Sequence, residues 1–216
     1  MDISPDQLRD ALLYLIAFLV SITVHEFGHA YTADKLGDRL PRSQGRVTLS
    51  PFAHADLVGT IILPLVGAFS SIPLIAWGKP VQINPRHHTR LGNLLVSVMG
   101  PAMNLLLAGV ASALIVGLGR AGLMHETFAL VLIQFIIGLN IRLMFFNLIP
   151  LPPLDGSAVL EYVLPNQLQI VSQTLRRYGM VVLYVLLLSG ALGFLMRPVN
   201  TLVVAWARLL LRNVPA

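Results

Sequence analysis

Two histidines and a glutamate in the pentapeptide His25-Glu26-Phe27-Gly28-His29 have the spacing of a metal site that activates water. On a helix, residues four positions apart lie on one face, so both imidazoles can bind the same metal ion. A zinc ion lowers the pKa of a bound water, and Glu26 is placed to accept the proton. The motif ends an apolar segment, where unpaired ionisable groups are costly. The alternative is a chance match at a helix end that faces water.

A catalytic zinc site usually has three protein ligands, so the sequence is expected to contain a third. The chain has no cysteine, which leaves histidine, aspartate and glutamate as ligand types. Asp155 is the acid in the most unusual setting, because it ends the proline-rich stretch Phe146-Asn-Leu-Ile-Pro-Leu-Pro-Pro-Leu-Asp-Gly156. Broken backbone at membrane depth is tolerated mainly where it lines a cavity. The spacing alone leaves open whether Asp155 binds the metal or caps the helix that follows it.

The composition is that of a protein with several membrane-spanning segments. Hydrophobic residues make up 56% of the 216 residues and charged residues 12%, against about 25% in soluble domains. Basic residues in cytoplasmic loops explain the net charge of +5, and no nucleic-acid-binding module is recognisable, so no nucleic-acid partner is expected. The apolar run 8–24 follows an acidic segment and has no cleavage site, so it is interpreted as a retained transmembrane helix.

Hydrophobic periodicity predicts an all-α polytopic membrane protein, a helical bundle of about five to six hydrophobic segments. These lie at residues 8–34, 57–76, 91–119, 126–149, 178–196 and 198–211. The last one is short and contains Arg208, which leaves open whether it crosses the bilayer or lies in the interface. Two polar connections hold alternating stretches at 46–50 and 79–83, which predict short β strands near the membrane surface.

The position of Asp155 places a condition on the topology. His29 ends the first segment and Asp155 follows the fourth, so they share a side only if segment 57–76 is a re-entrant hairpin. Pro64 and Gly67 interrupt that segment and favour the hairpin. Both basic connections then lie on the metal side, so the positive-inside rule places the site towards the cytoplasm and the N-terminus outside.

Taken together, these residues make the chain resemble the site-2 protease family of intramembrane zinc metalloproteases, and in particular its short bacterial members. The resemblance rests on the histidine motif, on Gly100-Pro-Ala-Met-Asn104, and on the proline-rich stretch that ends in Asp155 and Gly156. It implies a single integral membrane protease domain over 1–216, with a catalytic core at about 8–160 and C-terminal helices at about 161–216. It also implies a bacterial plasma membrane and a membrane-spanning protein as substrate.

The resemblance assigns roles to residues of this chain. His25, His29 and Asp155 match the ligands of one Zn²⁺, and Glu26 matches the catalytic base. Asn147 matches an asparagine that helps to hold the substrate backbone or the oxyanion, and Asn104 matches a polar position beside the site where substrate binds. Two other functions remain open: a membrane protein that binds zinc without hydrolysis, and a structural subunit of a membrane complex.

Overall fold

The computed structural model describes residues 4–70, 74–84, 87–165, 167 and 169–214, and helices dominate this part of the chain. Helix α1 (Pro5–Lys35) begins with a capping box, in which Ser4 and Gln7 satisfy each other's backbone N–H groups. Its 31 residues extend roughly 45 Å, which exceeds the roughly 30 Å of a bilayer's hydrocarbon core.

Nine further helices follow within the described residues. They are α2 (Leu40–Ser43), α3 (Pro51–His54), α4 (Leu57–Phe69), α5 (Arg90–Arg120), α6 (Glu126–Asn147), α7 (Gly156–Val163), α8 (Gln169–Leu188), α9 (Ala191–Leu195) and α10 (Arg197–Leu211). Both α4 and α6 include a π-helical turn, at Leu57–Ile62 and Leu132–Ile137.

In the part of the chain that the structure describes, three helices are long and apolar enough to cross a membrane: α1, α5 and α6. They confirm the helices predicted from segments 8–34, 91–119 and 126–149. Helix α1 packs on α6 through Ala17 and Phe18, which contact Phe135 and Leu139. Helix α5 is antiparallel to α1, and α6 is parallel to α1. The C-terminal ends of α1 and α6 therefore meet the N-terminal half of α5. This arrangement brings the predicted site residues to one end of the bundle.

Helix α4 and the chain after it form a hairpin beside α1. Six π-helical and seven α-helical residues extend roughly 20 Å, which is too short to cross a bilayer. The returning chain lies against the start of the hairpin, where the Trp77 N–H donates to the Gly59 carbonyl at 3.1 Å. The Thr60 hydroxyl also donates to the Trp77 carbonyl, at 2.9 Å. The hairpin therefore leaves from and returns to the same end of the molecule, as the re-entrant prediction requires.

The prediction of short β strands at 46–50 and 79–83 is wrong, because both stretches are irregular. Groups from other parts of the chain pair with backbone groups in or near these stretches. The Arg46 guanidinium donates to the carbonyls of Ala53 and Lys79, and the Lys79 N–H donates to the His54 carbonyl. The Val81 N–H donates to a carboxylate oxygen of Glu26 at 3.0 Å.

A buried aspartate anchors the end of this irregular stretch. The Asp38 carboxylate accepts the N–H of Asn84 at 2.6 Å and the N–H of Leu40 at 3.0 Å. Burial by itself would raise the pKa of Asp38, but these two donors and the nearby imidazole of His88 outweigh it and lower the pKa. The carboxylate is therefore held in its charged form as a clamp between the two polar connections.

Of the two predicted C-terminal segments, 198–211 matches α10 to within one residue, whereas 178–196 departs from the observed helices. The predicted segment 178–196 is divided between α8 and α9, because the chain turns at Gly190 with a φ of +78°, a conformation that favours glycine. Helix α10 packs along α5 and α6: the Arg142 guanidinium donates to Asn200 at 2.9 Å, and beyond the other end of α10 the carbonyl of Asn213 lies against Gly119. Segment 198–211 therefore runs alongside the bundle and does not lie flat across its end.

Candidate metal centre and active site

The histidine motif lies in the last third of α1, on the face that packs against α5. His25, Glu26 and His29 are all buried, with 4%, 8% and 9% of their surfaces exposed. The helical spacing places the two imidazoles edge to face, and their Nε2 atoms lie 3.0 Å apart. The pairing of the two histidines predicted from the sequence is thus the arrangement in the structure.

Asp155 completes a cluster of three ligand types at this point. Its carboxylate oxygens lie 3.2 Å from Nε2 of His25 and 3.4 Å from Nε2 of His29. The sequence left open whether Asp155 caps α7, but its side chain makes no capping hydrogen bond, and its buried Oδ2 has no hydrogen-bond partner. Burial by itself would raise the pKa of Asp155, but the two imidazoles outweigh burial and lower the pKa below its ordinary value. The anion, which is the form that binds a metal, is therefore favoured.

The three side chains fit a tetrahedral zinc ion. Ligand atoms roughly 2.0–2.2 Å from such an ion lie roughly 3.3–3.6 Å from one another, close to the 3.0, 3.2 and 3.4 Å between these atoms. The other nitrogen of each imidazole faces an oxygen: His25 Nδ1 lies 2.5 Å from Asn104 Oδ1, and His29 Nδ1 lies 2.7 Å from the Val96 carbonyl. Because an oxygen partner requires a proton on Nδ1, both Nε2 atoms keep a lone pair for the metal.

A close approach of α5 to the imidazoles depends on Gly100. A Cβ atom at this position would lie 2.5 Å from Cε1 of His29 and 2.8 Å from Cε1 of His25, and it would also collide with Nε2 of His29. No side chain fits there unless the helices separate. Gly100 therefore lets the backbone of α5 form one wall of the metal centre.

The metal centre opens into a cavity of about 480 Å³. Glu26 and Asn147, the two predicted catalytic residues, both line it. The amide nitrogen of Asn147 donates one bond to its own helix, to the Leu143 carbonyl at 3.0 Å, which leaves its second N–H for another partner. Most of the remaining wall is apolar and comes from α1, α6, α8 and the returning limb of the hairpin, with Phe18, Ile22, Trp77, Leu143, Met180 and Leu183 as examples.

Asn104 lies behind His25 and away from the cavity. It is fully buried, and its side chain contacts the imidazole on the side opposite the cluster of ligand atoms. Its predicted contact with substrate stays a prediction, whereas its contact with a candidate ligand is part of the structure. Asn140 and Ser21, which extend this contact further from the cavity, were not singled out from the sequence. A polar side chain within an apolar helix is the signal that could have found them.

The described part of the chain is thus an integral membrane protein with a buried His-His-Asp cluster and a glutamate beside it. Residues 13–131 and 120–190 match Peptidase family M50. The chain is 37% identical over 190 residues to YwhC of Bacillus subtilis, a candidate zinc metalloprotease by name, across 85% of this chain and 84% of YwhC. The chain belongs to peptidase family M50.

Two mycobacterial relatives, both called Rip2 and also candidate zinc metalloproteases by name, are somewhat more distant. The one from Mycolicibacterium smegmatis is 33% identical over 185 residues, and the one from Mycobacterium tuberculosis (strain H37Rv) is 31% identical over 186 residues. Each alignment covers 84% of this chain and 69% of Rip2. No solved structure matches the chain at a significant level.

Proposed function

We propose that this protein is a zinc metalloendopeptidase that hydrolyses peptide bonds of membrane-spanning proteins, with one zinc ion per chain. The observation that carries the proposal is the convergence of His25, His29 and Asp155, from two distant parts of the sequence, beside a cavity lined by Glu26. Membership of peptidase family M50 supports the peptidase activity.

Each polar side chain around the cavity has a task in amide hydrolysis. His25, His29 and Asp155 would hold the zinc, which when bound supplies Lewis-acid activation of water and of the scissile carbonyl. Glu26 accepts a proton from the attacking water and passes it to the leaving nitrogen. The Val81 N–H holds one oxygen of the Glu26 carboxylate, and this bond fixes the direction from which the proton is taken. The free N–H of Asn147 donates to the oxygen that gains negative charge.

The walls of the cavity suit a substrate that comes from the bilayer. Apolar side chains from membrane-spanning helices surround the polar cluster, so the peptide bond is cut in a setting that excludes most water. The basic residues of the two polar connections lie at the same end as the cluster. By the positive-inside rule we place this end at the cytoplasmic side of a bacterial plasma membrane.

The decisive experiment compares wild type with Glu26→Gln on a membrane-spanning reporter in proteoliposomes, with zinc content measured in both. Glu126→Gln, the same exchange at an exposed position at the far end of the bundle, is the matched control. We expect zinc in all three proteins and cleavage by all except Glu26→Gln. Zinc in all three proteins with cleavage by none of them would favour the zinc-binding alternative. Equal cleavage of a soluble peptide with the same target sequence would contradict the membrane-spanning substrate.

The orientation can be tested by labelling, because the chain has no cysteine. Single cysteines are introduced at Phe52, which is 93% exposed at the metal end, and at Leu123, which is 71% exposed at the other end. A membrane-impermeant maleimide added to intact cells is expected to label Leu123→Cys alone. Labelling of Phe52→Cys in its place would reverse the proposed orientation.

A further inference from the structure

A chain of hydrogen bonds runs from the candidate ligand His25 into the protein interior, away from the cavity. Nδ1 of His25 contacts Asn104 Oδ1 at 2.5 Å, and Asn104 Nδ2 donates to Asn140 Oδ1 at 2.7 Å. The same amide nitrogen makes a longer contact, 3.5 Å, with the main-chain carbonyl of Ser21, so the bond to Asn140 is the shorter of its two. Asn140 Nδ2 donates to Ser21 Oγ and to the Ile136 carbonyl, each at 2.8 Å. The side chains of Ser21, Asn104 and Asn140 belong to fully buried residues on three different membrane-spanning helices.

The orientation of the Asn104 amide decides which nitrogen of His25 can bind a metal. With Oδ1 towards the ring, Nδ1 carries the proton and Nε2 keeps its lone pair for the ion. If the amide turned over, its NH₂ group would face Nδ1, the proton would move to Nε2, and His25 could no longer bind the metal through Nε2. A side-chain amide is nearly symmetric in shape, so packing alone does not prevent this rotation.

Asn140 prevents the rotation because its own orientation is fixed at the far side. Its NH₂ group has two acceptors, and one of them is the main-chain carbonyl of Ile136, which cannot become a donor. The other, Ser21 Oγ, donates its proton to the Ala17 carbonyl at 2.6 Å and therefore also accepts. Turning Asn140 would place its NH₂ against the NH₂ of Asn104 and leave two buried bonds unmade, which costs about 1–3 kcal/mol for each group left unpaired.

We propose that Asn140 is a positioning residue of the metal centre, which fixes the amide of Asn104 and through it the tautomer of His25. The inference rests on the proposed role of His25 as a zinc ligand. Ser21 supports Asn140 in the same way, one step further from the metal. Asn140 touches neither the cavity nor any of the three ligands, so its effect reaches the zinc only through this chain of bonds.

The first test measures zinc affinity by competition with a chromophoric chelator, in detergent, for wild type and Asn140→Leu. Loss of an outer partner of a ligating histidine typically weakens metal binding about 10–100-fold, and we expect a loss in this range. Asn200→Leu is the matched control, because Asn200 also joins two helices by a side-chain hydrogen bond but lies outside the cavity lining. Wild type that binds no zinc would refute the proposed function itself; unchanged affinity in Asn140→Leu would refute only the role of Asn140.

A second variant separates positioning from general damage to the fold. Asn104→Asp offers His25 a carboxylate, which presents an acceptor oxygen whichever way it turns, so Asn140 has nothing left to orient. In this background we expect Asn140→Leu to leave zinc affinity unchanged, or to improve it by removing the oxygen that faces the carboxylate. An equal loss of affinity in both backgrounds would show that Asn140 matters only for packing and would overturn the proposal.

Ser21 gives a third readout with its own control. Ser21→Ala removes one of the two acceptors of Asn140, and we expect a loss of zinc affinity of a few-fold, smaller than that of Asn140→Leu. Ser112 makes the same bond to the carbonyl four residues before it, at 2.7 Å, but lies outside the chain. Ser112→Ala is expected to leave zinc affinity unchanged, and a loss equal to that of Ser21→Ala would argue against the chain.

Discussion

Replacing Gly100 by alanine adds a single methyl group at the point where α5 touches both imidazoles. The new Cβ would lie 2.5 Å from Cε1 of His29 and 2.8 Å from Cε1 of His25, whereas ordinary contacts begin at 3.4 Å. The rings or the helix must therefore move by at least about 0.6–0.9 Å, the difference between these distances, and Nε2 of His29 is closer still. Metal ligands tolerate displacements of only about 0.2 Å. We expect Gly100→Ala to weaken zinc binding at least about 10-fold and to abolish most cleavage at limiting zinc.

Gly109 provides the matched control on the same helix. A Cβ at Gly109 meets nothing within 4 Å, so Gly109→Ala adds the same methyl group to α5 without a collision. Alanine is the better helix former by roughly 0.5–1 kcal/mol, so this variant is expected to be as stable as wild type or more stable, with unchanged zinc affinity.

The assay is competition for zinc with a chelator, followed by cleavage of the membrane-spanning reporter at saturating zinc. We expect the zinc dissociation constant of Gly100→Ala to rise. We also expect its cleavage of the reporter to recover in part at high zinc. If Gly100→Ala binds zinc as tightly as Gly109→Ala, the two imidazoles are not held against the backbone of α5 in the way described, and the steric reasoning fails.

Three further predictions test other contacts of the site. Asp155→Ala removes a ligand and is expected to weaken zinc binding more than ~100-fold by chelator competition, beyond the loss typical of an outer partner. Val81→Pro removes the N–H that holds Glu26 and is expected to lower cleavage about 10-fold with zinc affinity unchanged, whereas Val81→Ala keeps the N–H and the rate. The pKa of Asp38 lies below its ordinary value, so its contribution to stability is present at neutral pH and is lost as pH falls below about 4. Thermal unfolding of wild type against Asp38→Asn is expected to differ at pH 7 and to converge as the pH falls through the lowered pKa of Asp38; a constant difference would contradict the clamp.

The parts of the fold that follow from local rules could be read from the sequence. The spans of α1, α5 and α6 follow from apolar length, and their ends were predicted to within a few residues. The partnership of Asp155 with the two histidines was one of two alternatives that the spacing left open, and the resemblance to the site-2 protease family favoured it, even though Asp155 lies more than a hundred residues from the motif. The spacing left open whether Asp155 binds the metal or caps α7, and the direction of its side chain in the structure favours metal binding.

The features that could not be predicted depend on contacts between distant parts of the chain. Alternation at 46–50 and 79–83 indicated strands, but the side chains of Arg46 and Glu26 take a backbone group each within 79–83. Asp38 holds the N–H of Asn84 just beyond this stretch. Val81 contributes through its N–H, which every residue except proline has, so its type carries no signal. Asn140 lies in an apolar run whose pattern shows where the helix crosses but not what a single amide faces.

The pair Gly100 and Pro101 shows how one helix can serve both as a span and as part of the site. Pro101 lies inside α5 and has no N–H, so the carbonyl four residues before it, on Ser97, lacks its helical donor. Backbone freed in this way is tolerated in a membrane where neighbouring groups satisfy it. On the same turn, the carbonyl of Val96 accepts a hydrogen bond from Nδ1 of His29, and Gly100 leaves the space that both imidazole rings occupy. The freed carbonyl of Ser97 and the open space at Gly100 therefore lie within one turn of the helix, next to the Val96 carbonyl that holds His29.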